Sequence, residues 1–268
     1  MNDLGRRGAA LLGGTIADVT GMGGGSLSQI VRLRLTDGRE AIVKTGPAPR
    51  TEAAMVRAIK AAGAPAPDVL AADDTVLVLS VVDDGGALSS AWSDLGRVLA
   101  TLHAAVGPRY GWDCDYAFGP VAIVNTWAED WPSFWGEHRL VNNARFVGNG
   151  VAKRLEALAA DLPNRLPKHP PPSLLHGDLW GGNVLAAHGR VSGLIDPACY
   201  YGDGLVDVAM LQMFDAPPPA FFSAYGKTEA GHRERLLIYR LWPALVHLRL
   251  FGSSYRPLVE RLLSELGA

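Results

Sequence analysis

Three side chains in the stretch LLHGDLWGGNVLAAHGRVSGLID, residues 174–196, carry hard oxygen donors at set intervals: Asp178, Asn183 five residues on, and Asp196 thirteen further. Taken singly they have ordinary readings, as a turn residue, a strand cap and the opening of an Asp-Pro turn. Taken together they do more. A loop holding Asp178 and Asn183, followed by a hairpin pattern that returns Asp196 beside Asn183, offers one carboxylate to orient a hydroxyl and two oxygen ligands for a divalent cation. Phosphoryl transfer asks for these groups, because it leaves the protein little covalent work beyond positioning and charge stabilisation. His176, two residues before Asp178, reads as a core histidine bonded to backbone and not as a proton carrier.

Phosphates also need cations and close backbone approach. Lys44 ends the apolar strand AIVK, and Glu52 opens the next helical pattern eight residues later. The pair can meet across a cleft wall and aim the ammonium at a nucleotide, although alone Lys44 reads as a solvated strand end. Upstream, GMGGGSLS places Gly23, Gly24, Gly25 and Ser26 between two strand patterns. Backbone N–H groups there could reach phosphate oxygens with no Cβ in the way, yet alone the stretch is only a glycine-rich hairpin turn. No Gly-Lys-Ser/Thr follows, and a strand comes next where a dinucleotide fingerprint needs a helix. The order is what counts: glycine loop, strand Lys, helix Glu, Asp with Asn five residues on, then a final Asp. That is the protein-kinase order, with His176-Gly177-Asp178 in the places of His-Arg-Asp.

These groups must be carried by two kinds of structure. TIADVT, SLSQIVRLRL and EAIVKTG, with the Asp37-Gly38 turn, predict three antiparallel strands, and VLAADDTVLVLSVV predicts another pair. Between them TEAAMVRAIKAAG sets Met55, Ile59 and Ala62 on one helical stripe, stopped by Gly63. After SVVDDGGAL the pattern turns helical; in SDLGRVLATLHAAV, Leu95, Val98, Leu99 and Leu102 share a face behind a Ser93 cap. LPNRLPKHPPPS, with five prolines from Pro163 to Pro172, predicts an extended, stiff connector into the Asp178 stretch. The expectation is an α+β, protein-kinase-like bilobal fold. Residues 1–82 form an antiparallel β lobe with one main helix that binds nucleotide, and residues 83–268 form a helix-rich lobe for catalysis and acceptor binding, with the ligand in the cleft between.

Composition narrows the partners. The chain has 268 residues, 48% of them hydrophobic, enough for a large core, and 25 basic against 27 acidic residues give a formal charge of −2. No broad cationic field exists to hold nucleic acid or anionic lipid, so an anionic ligand needs a local site. Cys114 and Cys199 lie far apart and read as free thiols. No apolar stretch is followed by a small-residue cleavage site, and nowhere do eighteen apolar residues run uninterrupted. The expected setting is cytoplasmic, without membrane or nucleic-acid partners, as a monomer or weak dimer.

On these residues the chain resembles the fructosamine kinases (ketosamine 3-kinases), within the aminoglycoside phosphotransferase-like group. HGDLWGGN, IDPACYYGD, WAEDWPSFWGEHRL and HRERLLIYRLWPALVHLRLFGSSY are similar to that family's characteristic blocks, and Trp180, the run Asp196-Pro197-Ala198 and Phe251-Gly252 point to this branch. The resemblance implies transfer of the ATP γ-phosphate to the 3-hydroxyl of a ketosamine: a ribulosamine, erythrulosamine or fructosamine, free or protein-bound. It implies Asp178 as base or orienter, Asn183 and Asp196 as Mg2+ ligands, and Lys44 as a phosphate clamp paired with Glu52. It also implies a hinge over residues 80–82, Ser80 to Val82, reading adenine through backbone groups. Trp180 is either a stacking surface for the sugar or amine, or a core aromatic. The chain departs from the family pattern where Gly204, Leu205 and Val206 stand before Asp207 in place of a charged pair, and where Val246 precedes His247. An aminoglycoside-type or other metabolite kinase on the same scaffold is the alternative, and a nucleotide-binding pseudokinase is disfavoured because Lys44, Asp178, Asn183 and Asp196 are all present.

Overall fold

The computed structural model describes residues 2–23, 28–226 and 232–268. Five strands, β1 (Ile16–Gly21), β2 (Ile30–Leu35), β3 (Glu40–Lys44), β4 (Val69–Ala72) and β5 (Leu77–Leu79), form one antiparallel sheet in the order β1-β2-β3-β5-β4. Alternation along β2 explains its two faces: Val31, Leu33 and Leu35 are buried while Arg32 and Arg34 point to water. One face of the sheet packs on helix α1 (Asn2–Leu11) through Leu4 and Ala9. The other, through Leu77 and Leu79, meets Ala53 and Val56 of α2 (Pro49–Ala61).

Helix α1 is amphipathic, with Leu4, Gly5, Gly8 and Ala9 on its buried face. The two glycines make that face close-fitting, since a Cβ at Gly5 would lie 2.6 Å from Val19 and one at Gly8 only 2.4 Å from Val43. Close approach at the glycines thus joins Leu4 and Ala9 in one contact face. Helix α2 starts at Pro49, whose missing N–H costs nothing in the first turn, and ends before Gly63 at φ +86°.

The remaining described chain is mainly helical: α3 (Trp92–Ala104), a hairpin of β6 (Tyr116–Phe118) and β7 (Val121–Ile123), α4 (Trp131–Phe134), a π-helical stretch (Trp135–Val141), α5 (Asn142–Ala144) and α6 (Asn149–Arg165). Then come β8 (Ser173–Leu174), a second hairpin of β9 (Val184–Ala187) and β10 (Arg190–Leu194), β11 (Tyr201–Gly202), α7 (Leu205–Phe214), α8 (Pro219–Tyr225), α9 (His232–Phe251) and α10 (Arg256–Glu265). Trp131, Phe134, Trp135, Leu175 and Tyr239 sit in its continuous core. Helix α7 is buried along most of its length, as an element apolar on all sides must be.

Two local expectations are corrected. Helix α3 begins at Trp92, so Ser93 lies inside it and caps nothing; its hydroxyl accepts from Arg97 instead. Pro163 falls within α6 and not in an extended connector. In the last turn a proline removes a single i−4 bond, and the chain becomes extended only past Arg165. Cys114 is exposed and Cys199 buried, both as free thiols. No helix among the described residues is long and apolar enough to cross a membrane.

Candidate active site

Pairing beside β8 and β11 delivers the chain to Asp178. Leu175 N–H donates to Tyr200 O (3.0 Å), and Ala198 N–H donates to His176 O (2.9 Å). Gly177 then turns with φ +81°, where a Cβ would lie 2.0 Å from Ala198 O, so no side chain fits the middle of His-Gly-Asp. The loop is held from below by Asp207 of α7. Its buried carboxylate accepts from the amides of His176 (2.7 Å) and Gly177 (2.9 Å) and from His103 Nε2 (3.0 Å). Burial alone would raise the Asp207 pKa, but these donors and the neighbouring histidines outweigh it and hold the carboxyl below its usual range. Asp207, which the linear pattern shows only as an acid behind an apolar run, is the anchor of the loop.

His176 is fully buried, donates from Nε2 to Ile195 O (2.9 Å), and accepts the Asp178 N–H on Nδ1 (3.3 Å). Burial favours its neutral form, which that bonding pattern requires. This is the backbone-bonded core role expected of it.

Asn183 lies in a 3-10 turn, Gly181–Asn183, with its amide nitrogen donating to Asp178 O (2.8 Å) and Asp178 Oδ2 (3.1 Å). Those bonds leave its Oδ1 unclaimed. The β9–β10 hairpin brings Asp196 back, and Ile195 N–H donates to Asn183 O (3.0 Å) just before it. Asp196 takes a left-handed φ of +54° immediately ahead of Pro197, a conformation costing on the order of 1–3 kcal/mol that persists only where surrounding structure enforces it. Its Oδ1 meets Lys44 Nζ at 2.5 Å, while the same ammonium bonds Glu52 Oε1 at 2.8 Å. Tyr116 O–H donates to the other Glu52 oxygen (3.1 Å). Burial alone would lower the Lys44 pKa, but the charges of Glu52 and Asp196 outweigh it and keep the ammonium protonated.

Asp178 itself is half-buried. Burial pushes its pKa up to about 7, with the charges of Asp196 and Asp207 adding to the rise and the Asn183 bond opposing it. A carboxylate poised near neutrality can take a proton from a hydroxyl.

Lys44, Glu52, Asp178, Asn183 and Asp196 line a cleft of about 580 Å³. The same cleft is walled by Phe118 of the first hairpin, Trp180, Met210 and Phe214 of α7, Trp242, His247 and Phe251 of α9, and Tyr255, with ring contacts running from Trp180 through Phe214 and His247 to Phe251 and Tyr255. Beyond Glu52, Asp178 and Asp196, no carboxylate lines the cleft among the described residues. Trp180 is 42% exposed and no core residue; its indole folds over Gly182, where a Cβ would lie 2.2 Å from the ring, and its edge meets Phe214. Gly182 thereby explains the small residue two places after Trp180.

Of the remaining candidates, Gly23 is exposed with open space around it, while Gly24, Gly25 and Ser26 lie outside the described residues. Ser28 lines the cleft. Ser80 and Val82 do not line it; Ser80 bonds Asp68 through backbone and side chain, and Val82 packs toward Gly193. Sequence reasoning missed Tyr116, Phe118, Met210, Phe214, Trp242 and Tyr255, whose apolar character is indistinguishable in a linear pattern from core.

The donor set suits Mg2+. Asn183 Oδ1 and the Asp196 carboxylate are hard oxygens, and two protein donors leave most of an octahedral shell to phosphate oxygens and water, as this ion prefers.

The fructosamine kinase family model matches residues 10–268. The chain is 34% identical over 207 residues to a protein of Synechocystis sp. named a probable ketoamine kinase, covering 72% of this chain and 68% of that one. A solved structure from Thermobifida fusca, bearing the name of a fructosamine-3-kinase, superposes with a TM-score of 0.89 at 30% identity over 98% of both chains. An aminoglycoside phosphotransferase shares the fold with a TM-score of 0.66 at 18% identity over 95% of both chains.

Proposed function

The chain belongs to the fructosamine kinase family, and from that premise we propose that it transfers the γ-phosphate of ATP to the 3-hydroxyl of a ketosamine held against the aromatic lining of the cleft. One observation carries the acceptor class: apart from the phosphotransfer groups, the cleft is lined mainly by aromatic and apolar side chains, with no further carboxylate among the described residues. A polycationic aminoglycoside would require acidic partners there, whereas the C–H faces of a sugar and its aglycone suit flat apolar rings.

In this reading residues 1–82 contribute the nucleotide-binding groups Lys44 and Glu52, while Ser80 and Val82, which do not line the cleft, are no part of the adenine contact. Lys44, fixed by Glu52, clamps phosphate oxygens, and Asn183 with Asp196 would hold Mg2+, which when bound draws charge from the β- and γ-phosphates. Asp178 accepts a hydrogen bond from the acceptor hydroxyl, aligns its oxygen with the γ-phosphorus and takes the proton as the bond forms. The Asn183 amide keeps the Asp178 carboxylate turned to that task. Trp180 forms the floor on which the sugar lies.

ATP consumption measured across ribulosamines, erythrulosamines, fructosamines, aminoglycosides and free sugars tests the assignment. Turnover confined to ketosamines is expected; turnover on aminoglycosides instead would overturn it. Trp180→Ala should lower kcat/KM for the ketosamine roughly 5- to 150-fold, the equivalent of about 1 to 3 kcal/mol of lost apolar contact, with ATP KM and Tm near those of the parent. A variant that melts several degrees early with unchanged ketosamine kinetics contradicts the stacking role.

A further inference from the structure

Arg139 lies in the π-helical stretch after α4, fully buried, with no carboxylate at salt-bridge distance among the described residues and its Nε without a hydrogen-bond partner. Burial lowers its pKa, the mark of a charge held at a cost. A buried guanidinium without an ion pair, with only Tyr200 and the more distant charge of Asp115 opposing its desolvation, is poorly explained by stability. π-Helical turns, moreover, concentrate at functional positions.

What Arg139 touches is more informative. Its guanidinium stands over the rings of Tyr200 (4.2 Å), Phe134 (4.8 Å) and Trp242 (5.1 Å), and donates to Val124 O (2.6 Å) and Asn125 Oδ1 (2.8 Å). Three of these partners belong to, or adjoin, three separate segments that line the cleft. Trp242 lines it directly from α9. Val124 follows the hairpin whose Phe118 lines the cleft and whose Tyr116 lines it beside Glu52. Tyr200 lies beneath the loop carrying Asp178, its ring 3.4 Å from where a Gly177 Cβ would stand. A planar cation with five fixed donors can stack on rings and bond a hairpin end at once, which an ammonium cannot do.

We propose that Arg139 is a positioning residue that sets the aromatic lining of the cleft, holding Trp242, the β6–β7 hairpin and the Gly177 loop in register without touching the substrate. The inference rests on that lining being the ketosamine site. Arg139→Met, of similar reach but uncharged, and Arg139→Lys are compared with the parent in acceptor KM, ATP KM, Tm and amide hydrogen exchange over residues 112–125. In Arg139→Met the acceptor KM is expected to rise roughly tenfold or more, as small misplacements of positioning groups do, with ATP KM within about twofold and faster exchange in the hairpin. Arg139→Lys should fall between the two. Unchanged acceptor KM and unchanged exchange, or a loss of kcat alone in proportion to a falling folded fraction, would overturn the proposal. Should Arg139→Met not fold, Arg139→Lys is judged by the same readouts. If the parent turns over no ketosamine, the functional reading fails, while hairpin exchange still decides the role of Arg139.

Discussion

Asp178→Asn should fold and bind ATP like the parent and lose roughly 10²- to 10⁴-fold in turnover, the usual scale for a positioned acid or base. The amide can still meet the acceptor hydroxyl, but it cannot take the proton. Turnover within about threefold of the parent would remove Asp178 from the mechanism. The carboxyl's pKa of about 7 adds a signature in pH. Because the group works deprotonated, kcat/KM of the parent should climb as pH rises through about 7, and the variant's residual activity should lack that limb. Stability moves the other way. The folded pKa lies above the ordinary carboxylate value, so the folded state holds the extra proton, and the stability it contributes is lost as pH rises toward 7. Melting temperatures at pH 5 and pH 8 check the sign: the variant should gain on the parent at the higher pH.

Asp196→Ala should separate metal-dependent from metal-free nucleotide binding. Loss of the carboxylate removes a ligand from the proposed Mg2+ site, and affinity for MgATP should fall roughly 10- to 100-fold or more, the scale seen even for outer-shell partners of a metal. The same change releases Lys44 from one of its two anionic partners, so metal-free ATP should bind as well as before or better. Calorimetric titrations with MgATP and with ATP in chelator give the two affinities. Equal losses in both, or none in either, would show that Asp196 does not hold the metal.

Much of this was determined by the sequence alone, wherever the governing physics is short-range. Strand alternation in IVRLRL and the Met55–Ile59 stripe stopped by Gly63 follow from fixed backbone periods, and both elements form as their patterns predict. Asp178, Asn183 and Asp196 were legible because one loop and one hairpin carry all three, and Lys44 with Glu52 because a strand end and the next helix start leave few ways to meet. Tertiary structure alone decided the rest. That Trp180 faces the cleft while Trp131 and Trp135 are core cannot be read from residue type, since an aromatic in a pocket and one in a core carry the same hydrophobicity. The acceptor wall is drawn from the first hairpin, the Asp178 loop, α7, α9 and Tyr255, which only long-range packing brings together. Asp207 anchors the Asp178 loop from 30 and 31 residues away in sequence, and α1 packs through glycines whose close contacts with Val19 and Val43 only the fold creates. Contacts of that kind depend on close-packed complementarity between distant segments, a property of the folded interior with no local period to reveal it.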